Sequence, residues 1–141
     1  MGLDAVVYTD KENLDLGSDG QSAKHDKKTG EVYFDDDGLS RKHRSKLRGA
    51  HRRLGNISSI AALRYEVGQL LGPQSVLLEK VLYSGTHCGD VLSSESLPKL
   101  SAELVSIRKA GQRSPLLDEL ITSLEDLVRA AVSQRNPIVF V

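Results

Sequence analysis

Residues 114–141 constrain the fold more than any other part of the sequence. Ser114 has a hydroxyl that can cap a helix, and it is followed by Pro115, a residue type that is favoured in the first helical turn. Apolar residues then recur at helical spacing and predict one broad face, formed by Leu117, Leu120, Ile121, Leu124, Leu127, Val128, Ala131 and Val132. Asn136-Pro137 ends this helix, and residues 138–141 are all apolar. Such a strand is stable only inside a sheet, so we expect it to pair with the N-terminal strand under packed helices.

The remaining sequence predicts strands first and helices afterwards. Residues 3–8 and 31–34 are β-branched and aromatic runs typical of strands, and the polar residues 13–29 between them predict a mobile loop. Helices are predicted by spacing and caps over the basic residues 41–53, over 57–71 after Asn56, and over 97–107 after Ser93, Ser94 and Ser96. Periodicity does not decide between helix and strand for 76–83, although Ser75 favours a short helix. We predict one α+β domain over 1–141, with a small sheet of the N-terminal strands and the C-terminal strand packed against four or five helices.

Composition limits what such a domain can bind. Aromatic residues make up only 4% of the chain, with no tryptophan, so it lacks the ring faces that a large aromatic pocket or a base-stacking surface needs. The single cysteine, Cys88, cannot form an internal disulfide, and the first residues lack the basic start and apolar run of a secretory signal. No apolar stretch is long enough to cross a bilayer. We therefore expect a cytoplasmic protein without membrane association or a cofactor.

The segment richest in reactive groups is the 84–90 loop, Ser84-Gly85-Thr86-His87-Cys88-Gly89-Asp90. Its two glycines allow the backbone to turn N–H groups inward and bind an anion. In an enzymatic interpretation, Thr86 or Cys88 reacts while His87 and Asp90 move protons. The candidate ligand-binding or anion-binding residues are Ser84, Gly85, Thr86, His87, Gly89 and Asp90, joined by Arg53 and Asn56 from the 51–56 segment.

The alternative interpretation is a tight polar turn whose side chains bond to the local backbone. The loop lacks the surrounding pattern of a nucleophile elbow, and no Lys-Ser/Thr pair follows its glycines as in a phosphate loop. His87, Asp90 and Thr86 are thus catalytic candidates only, and the sequence favours a protein that is not an enzyme. The four histidines and Cys88 are too scattered to predict a metal site.

A second unusual segment is 41–53, which carries seven Lys and Arg residues and no acid. On a helix, this charge could follow a nucleic-acid backbone. The chain is neutral overall, however, and residues 1–40 carry an excess of acids. The second interpretation is that the basic helix docks against this acidic region, within one subunit or across a dimer.

Four segments together resemble a group of small bacterial proteins that have no assigned activity. These segments are the start Met1-Gly2-Leu3-Asp4, the run 51–56 (HRRLGN), the run 77–90 (LLEKVLYSGTHCGD) and the close 136–140 (NPIVF). The resemblance covers most of the chain. It implies that serine often replaces Cys88, which leaves Ser84, Thr86, His87 and Asp90 as the polar centre of the loop.

These observations leave three functional hypotheses. The leading one is a binding or interaction module, accessory to a bacterial stress or defence system, that contacts a protein partner or a second copy through the loop and the basic helix. The alternatives are a small hydrolase that uses the 84–90 loop, with His87 facing a pocket beside Arg52, Arg53 or Asn56, and a nucleic-acid-binding protein that uses residues 41–53. Neither ligand, partner nor oligomeric state is specified by the sequence.

Overall fold

The structure is a computed structural model that describes residues 2–9 and 17–141. Its strands are β1 (Gly2–Tyr8), β2 (Ala23–His25), β3 (Val32–Phe34), β4 (Arg48–Asn56), β5 (Val91–Leu92) and β6 (Ile138–Phe140). Its α-helices are α1 (Arg41–Leu47), α2 (Ile57–Leu70), α3 (Leu97–Lys109) and α4 (Pro115–Gln134). Short 3₁₀ helices lie at Gly17–Ser22 and Asp36–Gly38, and one turn of π-helix lies at Leu77–Val81. The predicted α+β class is confirmed.

An antiparallel sheet with the strand order β4-β1-β6-β5 forms the centre of the fold. Val139 in β6 lies opposite Val6 in β1, which confirms the predicted pairing of the C-terminal strand with the N-terminal strand. β6 has a neighbour on each side, and all its residues are buried. This interior position pairs the backbone of a strand that has no polar face to offer to water.

Both faces of the sheet are covered, so the side chains of β1 alternate between two apolar clusters. Leu3, Ala5 and Val7 belong to the larger cluster, which α2, α3 and α4 complete. Val6 and Tyr8 belong to the smaller cluster on the other face. The remaining buried members of that smaller cluster are Phe34, Leu39, Leu47 and Val139.

The predicted basic helix over 41–53 is wrong beyond Leu47. α1 ends there, and the following basic residues form β4, which pairs with β1 along its whole length. The strand prevails because the backbone groups on that edge of β1 need partners, whereas a charged helix with few leucines would bury little. Leu54 consequently packs in the larger cluster, apart from Leu39 and Leu47 in the smaller one.

The predicted strand at 31–34 forms as β3, but it does not join the main sheet. It pairs with β2 in a separate two-stranded sheet, where Phe34 packs edge-on against Tyr8 with ring centroids 5.3 Å apart. The predicted loop 13–29 therefore contains a 3₁₀ turn and a strand, because this hairpin supplies apolar side chains to the smaller cluster. Residues 13–16 of that prediction lie outside the described residues.

Asn136 fixes this hairpin to the main sheet. Its side-chain oxygen accepts a hydrogen bond from the N–H of Val32 at 3.2 Å, and its Nδ2 donates to the carbonyl of Tyr8 at 2.7 Å. The residue is buried, and its bond to Tyr8 is shielded from water. Asn136 thus does more than end a helix, which was its predicted role.

The predicted helix starts agree with the structure at Asn56 and Ser114, whose side chains accept from the N–H groups of Ser59 and Leu117. The 76–83 segment forms only the π-helical turn, which Ser75 caps through the N–H of Leu78. Two further helix positions depart from expectation: the Ser96 side chain makes no cap bond, and Val132 is exposed. None of the helices in the described part of the chain has the length and apolar character needed to span a membrane.

Candidate functional site

The 84–90 loop runs from the π-helical turn to β5 and continues the hydrogen-bond ladder of β6. The N–H of Gly89 donates to the carbonyl of Phe140 at 2.7 Å, and the N–H of Phe140 donates to the carbonyl of Asp90 at 3.0 Å. Gly89 has a φ of 96°, a left-handed conformation that glycine adopts at little cost. The path of the backbone into the sheet therefore explains why a glycine occupies position 89.

His87 is buried, with only 3% of its side chain exposed. Its ring packs against Tyr83 and Phe140, with centroid distances of 4.4 and 4.5 Å. Nε2 lies 2.7 Å from the carbonyl oxygen of Val81. Because a carbonyl only accepts, Nε2 must carry the hydrogen, which assigns the Nε2–H tautomer. The imidazole thus ties the loop to the end of the π-helical turn.

The second ring nitrogen of His87 is left without a hydrogen bond from the described residues. Nδ1 lies 3.4 Å from Oδ2 of Asp90, outside hydrogen-bond geometry, and Asp90 accepts from the hydroxyl of Tyr83. Burial lowers the pKa of His87 below its usual 6.5, although the hydrogen bond to Val81 opposes part of this effect. A neutral imidazole enclosed by two aromatic rings cannot reach a substrate from solvent.

The other polar groups of the loop bond to one another. Oγ of Ser84 accepts from the N–H of Thr86 at 3.1 Å and lies 3.2 Å from the Thr86 hydroxyl, and the N–H of Asp90 donates to the carbonyl of His87. Together with the bond from Gly89, these contacts occupy three of the amides that an anion would need. The geometry matches the polar-turn interpretation.

Arg53 and Asn56, which were predicted to bind a ligand together with the loop, have partners elsewhere. Arg53 donates to Asp4 at 3.1 Å, and Asn56 caps α2. The loop lies next to Ile57, the residue that follows the 51–56 segment, since a Cβ added to Gly85 would lie 3.0 Å from the Ile57 Cα atom. The structure therefore brings the two segments close without joining their proposed binding side chains. Cys88 is exposed.

Four of the seven Lys and Arg residues of 41–53 form ion pairs with acids of the same chain. Asp36 pairs with Arg48 at 2.6 Å and with Arg44 at 3.3 Å, and His43 lies 2.6 Å from Asp19. In β4, Arg53 pairs with Asp4 and Arg52 lies 3.4 Å from Asp126. Except for Asp126, these acids belong to residues 1–40, as the docking interpretation predicts. Within 2–9 and 17–141, no group of three or more His, Cys, Asp or Glu residues is arranged to hold a metal ion.

Comparisons of the chain with protein-family models, with curated proteins and with solved structures find no match. Its function must be inferred from its own geometry.

Exposed apolar side chains that were not predicted from the sequence lie along α2 and at Tyr83, just before the loop. We define the α2–loop surface as Ile57, Ala61 and Tyr65 of α2 together with Tyr83. Their exposed fractions reach 74% for Tyr65, 52% for Ile57 and 42% for Tyr83. Arg64 links helix and loop by donating to the Tyr83 carbonyl at 2.9 Å.

The spacing of these α2 residues could have indicated this surface. Positions 57, 61 and 65 follow one another at intervals of four, so they form a stripe along the helix. The buried residues Ile60, Leu63 and Val67 occupy a different side of α2. A helix with two apolar stripes has one more than the core requires, and the second is then a candidate contact face.

We predict that His87 titrates below pH 6.5 in the Nε2–H tautomer. As pH falls below 6.5, the unfolded chain takes up a proton at His87 before the folded protein does. The contribution of the neutral imidazole to the free energy of unfolding is therefore fully present above pH 6.5 and is lost below it. Long-range ¹⁵N–¹H NMR correlations, recorded over a range of pH, report both the tautomer of His87 and the midpoint of its titration. His87→Gln should reduce the loss of stability on acidification, and an Nδ1–H tautomer or a midpoint above 6.5 would contradict the assignment.

Proposed function

We propose that this protein is a binding module that recognises another protein through the α2–loop surface. The observation that carries the proposal is the exposure of Ile57 and Tyr65 along α2 and of Tyr83 in the segment that contacts this helix through Arg64. Tyrosine is enriched at protein interfaces because its ring provides apolar contact area and its hydroxyl a hydrogen bond. Two of the four tyrosines of this aromatic-poor chain lie there.

The anchoring of the loop supports the same proposal. Tyr83 stacks on His87, its hydroxyl donates to Asp90, and its carbonyl accepts from Arg64. A side chain held in this way loses little conformational freedom when a partner binds, which preserves affinity. The polar groups of the loop therefore serve to orient Tyr83 beside α2. Arg64 favours a partner that places an acidic group next to an apolar patch.

The alternative functions receive less support. The hydrolase hypothesis needs His87 in a pocket beside Arg52, Arg53 or Asn56, whereas its ring packs on Tyr83 and Phe140. The nucleic-acid hypothesis needs free cations, whereas most arginines of 41–53 pair with carboxylates. A bacterial stress or defence role and a cytoplasmic location stay predictions from the sequence.

Site-specific photo-crosslinking tests the proposed surface. A benzophenone amino acid at Ala61, which is exposed on α2, should give a discrete crosslinked product in cells of the native host. The same residue at the exposed Lys109, at the end of α3, is the matched control and should give none. A product of twice the chain mass would identify a second copy as the partner. Equal products from both positions, or none from Ala61, would contradict the proposal.

The identified partner then allows a quantitative prediction. Tyr83→Ala and Tyr65→Ala should each weaken its binding by about tenfold to a hundredfold, the range of buried tyrosine anchors. Thermal unfolding should change little for Tyr65→Ala, because this side chain is mostly exposed. Isothermal titration calorimetry measures the binding. Unchanged affinity in both variants would place the interface elsewhere.

A further inference from the structure

A separate cleft, of about 550 Å³, lies between the start of α3, the end of α4 and the turn before β3. We call it the Glu31 cleft. Its walls are mainly apolar and include Leu97, Val128, Ala131 and Val132. Its volume falls within the usual range of small-molecule sites. It lies apart from the α2–loop surface, with which it shares none of its lining residues.

Glu31 contributes an acidic side chain to the lining of this cleft. The residue is only 6% exposed, and its Oε1 accepts from the N–H of Ser94 at 3.0 Å. Its Oε2 is buried and receives no hydrogen bond from the described residues. A carboxylate oxygen removed from water without a donor costs free energy, so a ligand that supplies a donor recovers that cost when it binds.

The apolar wall supplies the second part of the argument. Val132 is 63% exposed, although it continues the apolar side of α4 towards Val128 and Ala131. An apolar side chain left open at the mouth of a cleft, with apolar walls beneath it, can bury further area only when something enters. The cleft thus combines one unsatisfied acceptor with an apolar surface.

We propose that the Glu31 cleft binds a small organic cation that carries a primary ammonium at one end of an apolar body. The ammonium donates to the carboxylate of Glu31, whose buried Oε2 becomes accessible when the side chain turns towards the cleft, and the apolar body covers Leu97, Val128 and Val132. An ammonium suits this site because charge-assisted hydrogen bonds to a carboxylate are stronger than neutral ones. One free carboxylate oxygen supplies far fewer ligands than the six or more that Ca²⁺ requires.

Arg135 restricts the shape of this ligand. It also lines the cleft, and it is exposed at the end of α4. Its positive charge repels an ammonium held at the mouth. The cationic head must therefore lie deep, next to Glu31, while an uncharged apolar part occupies the region near Arg135. This arrangement favours compounds with one terminal amine over those with charge along their length.

The test uses phenethylamine and its neutral counterpart 2-phenylethanol as probes of the full chain. Methyl and amide NMR spectra should show saturable shifts at Leu97, Val128, Ala131 and Val132 with phenethylamine, with a Kd of about 1 mM, as expected for a fragment of this size. The alcohol should bind about tenfold more weakly, since it lacks the charge. Equal binding of both probes, shifts outside the cleft, or no saturation by about 10 mM would overturn the proposal.

Two variants test the roles of Glu31 and the wall. Glu31→Gln keeps the acceptor for Ser94 but replaces Oε2 by an amide donor, so phenethylamine should lose its advantage over the alcohol. Val132→Lys alters an exposed position and should weaken phenethylamine by charge repulsion without unfolding the protein. Glu79→Gln, an exposed site away from the cleft, should leave binding unchanged. If phenethylamine binds all the variants as it binds the parent protein, Glu31 and Val132 do not form the site.

Discussion

Replacing Asp36 by alanine should lower the free energy of unfolding by about 3 kcal/mol, because it leaves partly buried cations without their partner. Asp36 accepts from the hydroxyl of Tyr8 at 2.7 Å and from Arg48 through Nε at 3.0 Å and Nη2 at 2.6 Å, and Nε of Arg44 lies 3.3 Å away. Only 11% of its side chain is exposed. This carboxylate therefore joins α1, β4 and β1 at the smaller cluster.

Urea unfolding followed by circular dichroism measures this loss, and Asp37→Ala is the matched control. Asp37 is exposed, so its replacement should change stability by no more than about 0.5 kcal/mol. Similar losses in the two variants would contradict a special role for Asp36.

The loss from Asp36→Ala should also depend on pH. Burial disfavours the charged form, but hydrogen bonds from Arg48 and Tyr8 and the nearby guanidinium charges outweigh it, so the pKa of Asp36 lies below its usual 3.8. Its contribution is therefore fully present above 3.8 and is lost as pH falls through the lower folded-state pKa. The difference between variant and parent should shrink over that acidic range.

Glu103→Ala should lower the free energy of unfolding by about 2–3 kcal/mol, since it leaves two buried N–H groups without acceptors. Oε2 and Oε1 of Glu103 accept from the N–H groups of Val76 and Leu77, each at 2.9 Å. These amides begin the π-helical turn, where backbone donors lack partners within the helix, and a carboxylate also suits the positive end of its dipole. Glu103 in α3 thus holds the segment that leads into the 84–90 loop.

Thermal and urea unfolding measure this second loss, with Glu79→Ala as the control. Glu79 lies in the same π-helical turn but is exposed, so its replacement should have little effect. Glu103→Gln should fall between the two, because the amide retains one acceptor and turns a donor towards the other N–H group. A loss below about 1 kcal/mol for Glu103→Ala would show that water replaces the carboxylate.

The sequence by itself determined the parts of the fold whose signals are local. These parts are the cap at Ser114, the apolar stripe of α4 and the apolar run of β6. Each signal depends on residues that are close together in the sequence. The same holds for Asn56 and α2, and for β1. Because a strand without a polar face must be interior, even the pairing of β6 with β1 followed from the chain.

Only the tertiary structure decided the secondary structure of residues 48–56 and the roles of polar residues such as His87 and Glu31. The basic residues of β4 form a strand because the edge of β1, distant in sequence, offers backbone partners. His87 became a buried support for Tyr83 because Phe140, from the end of the chain, packs against it. Glu31 gained its cleft from helices that follow it by more than sixty residues. Such contacts join segments that are far apart in the chain, so the local spacing of residues cannot predict them.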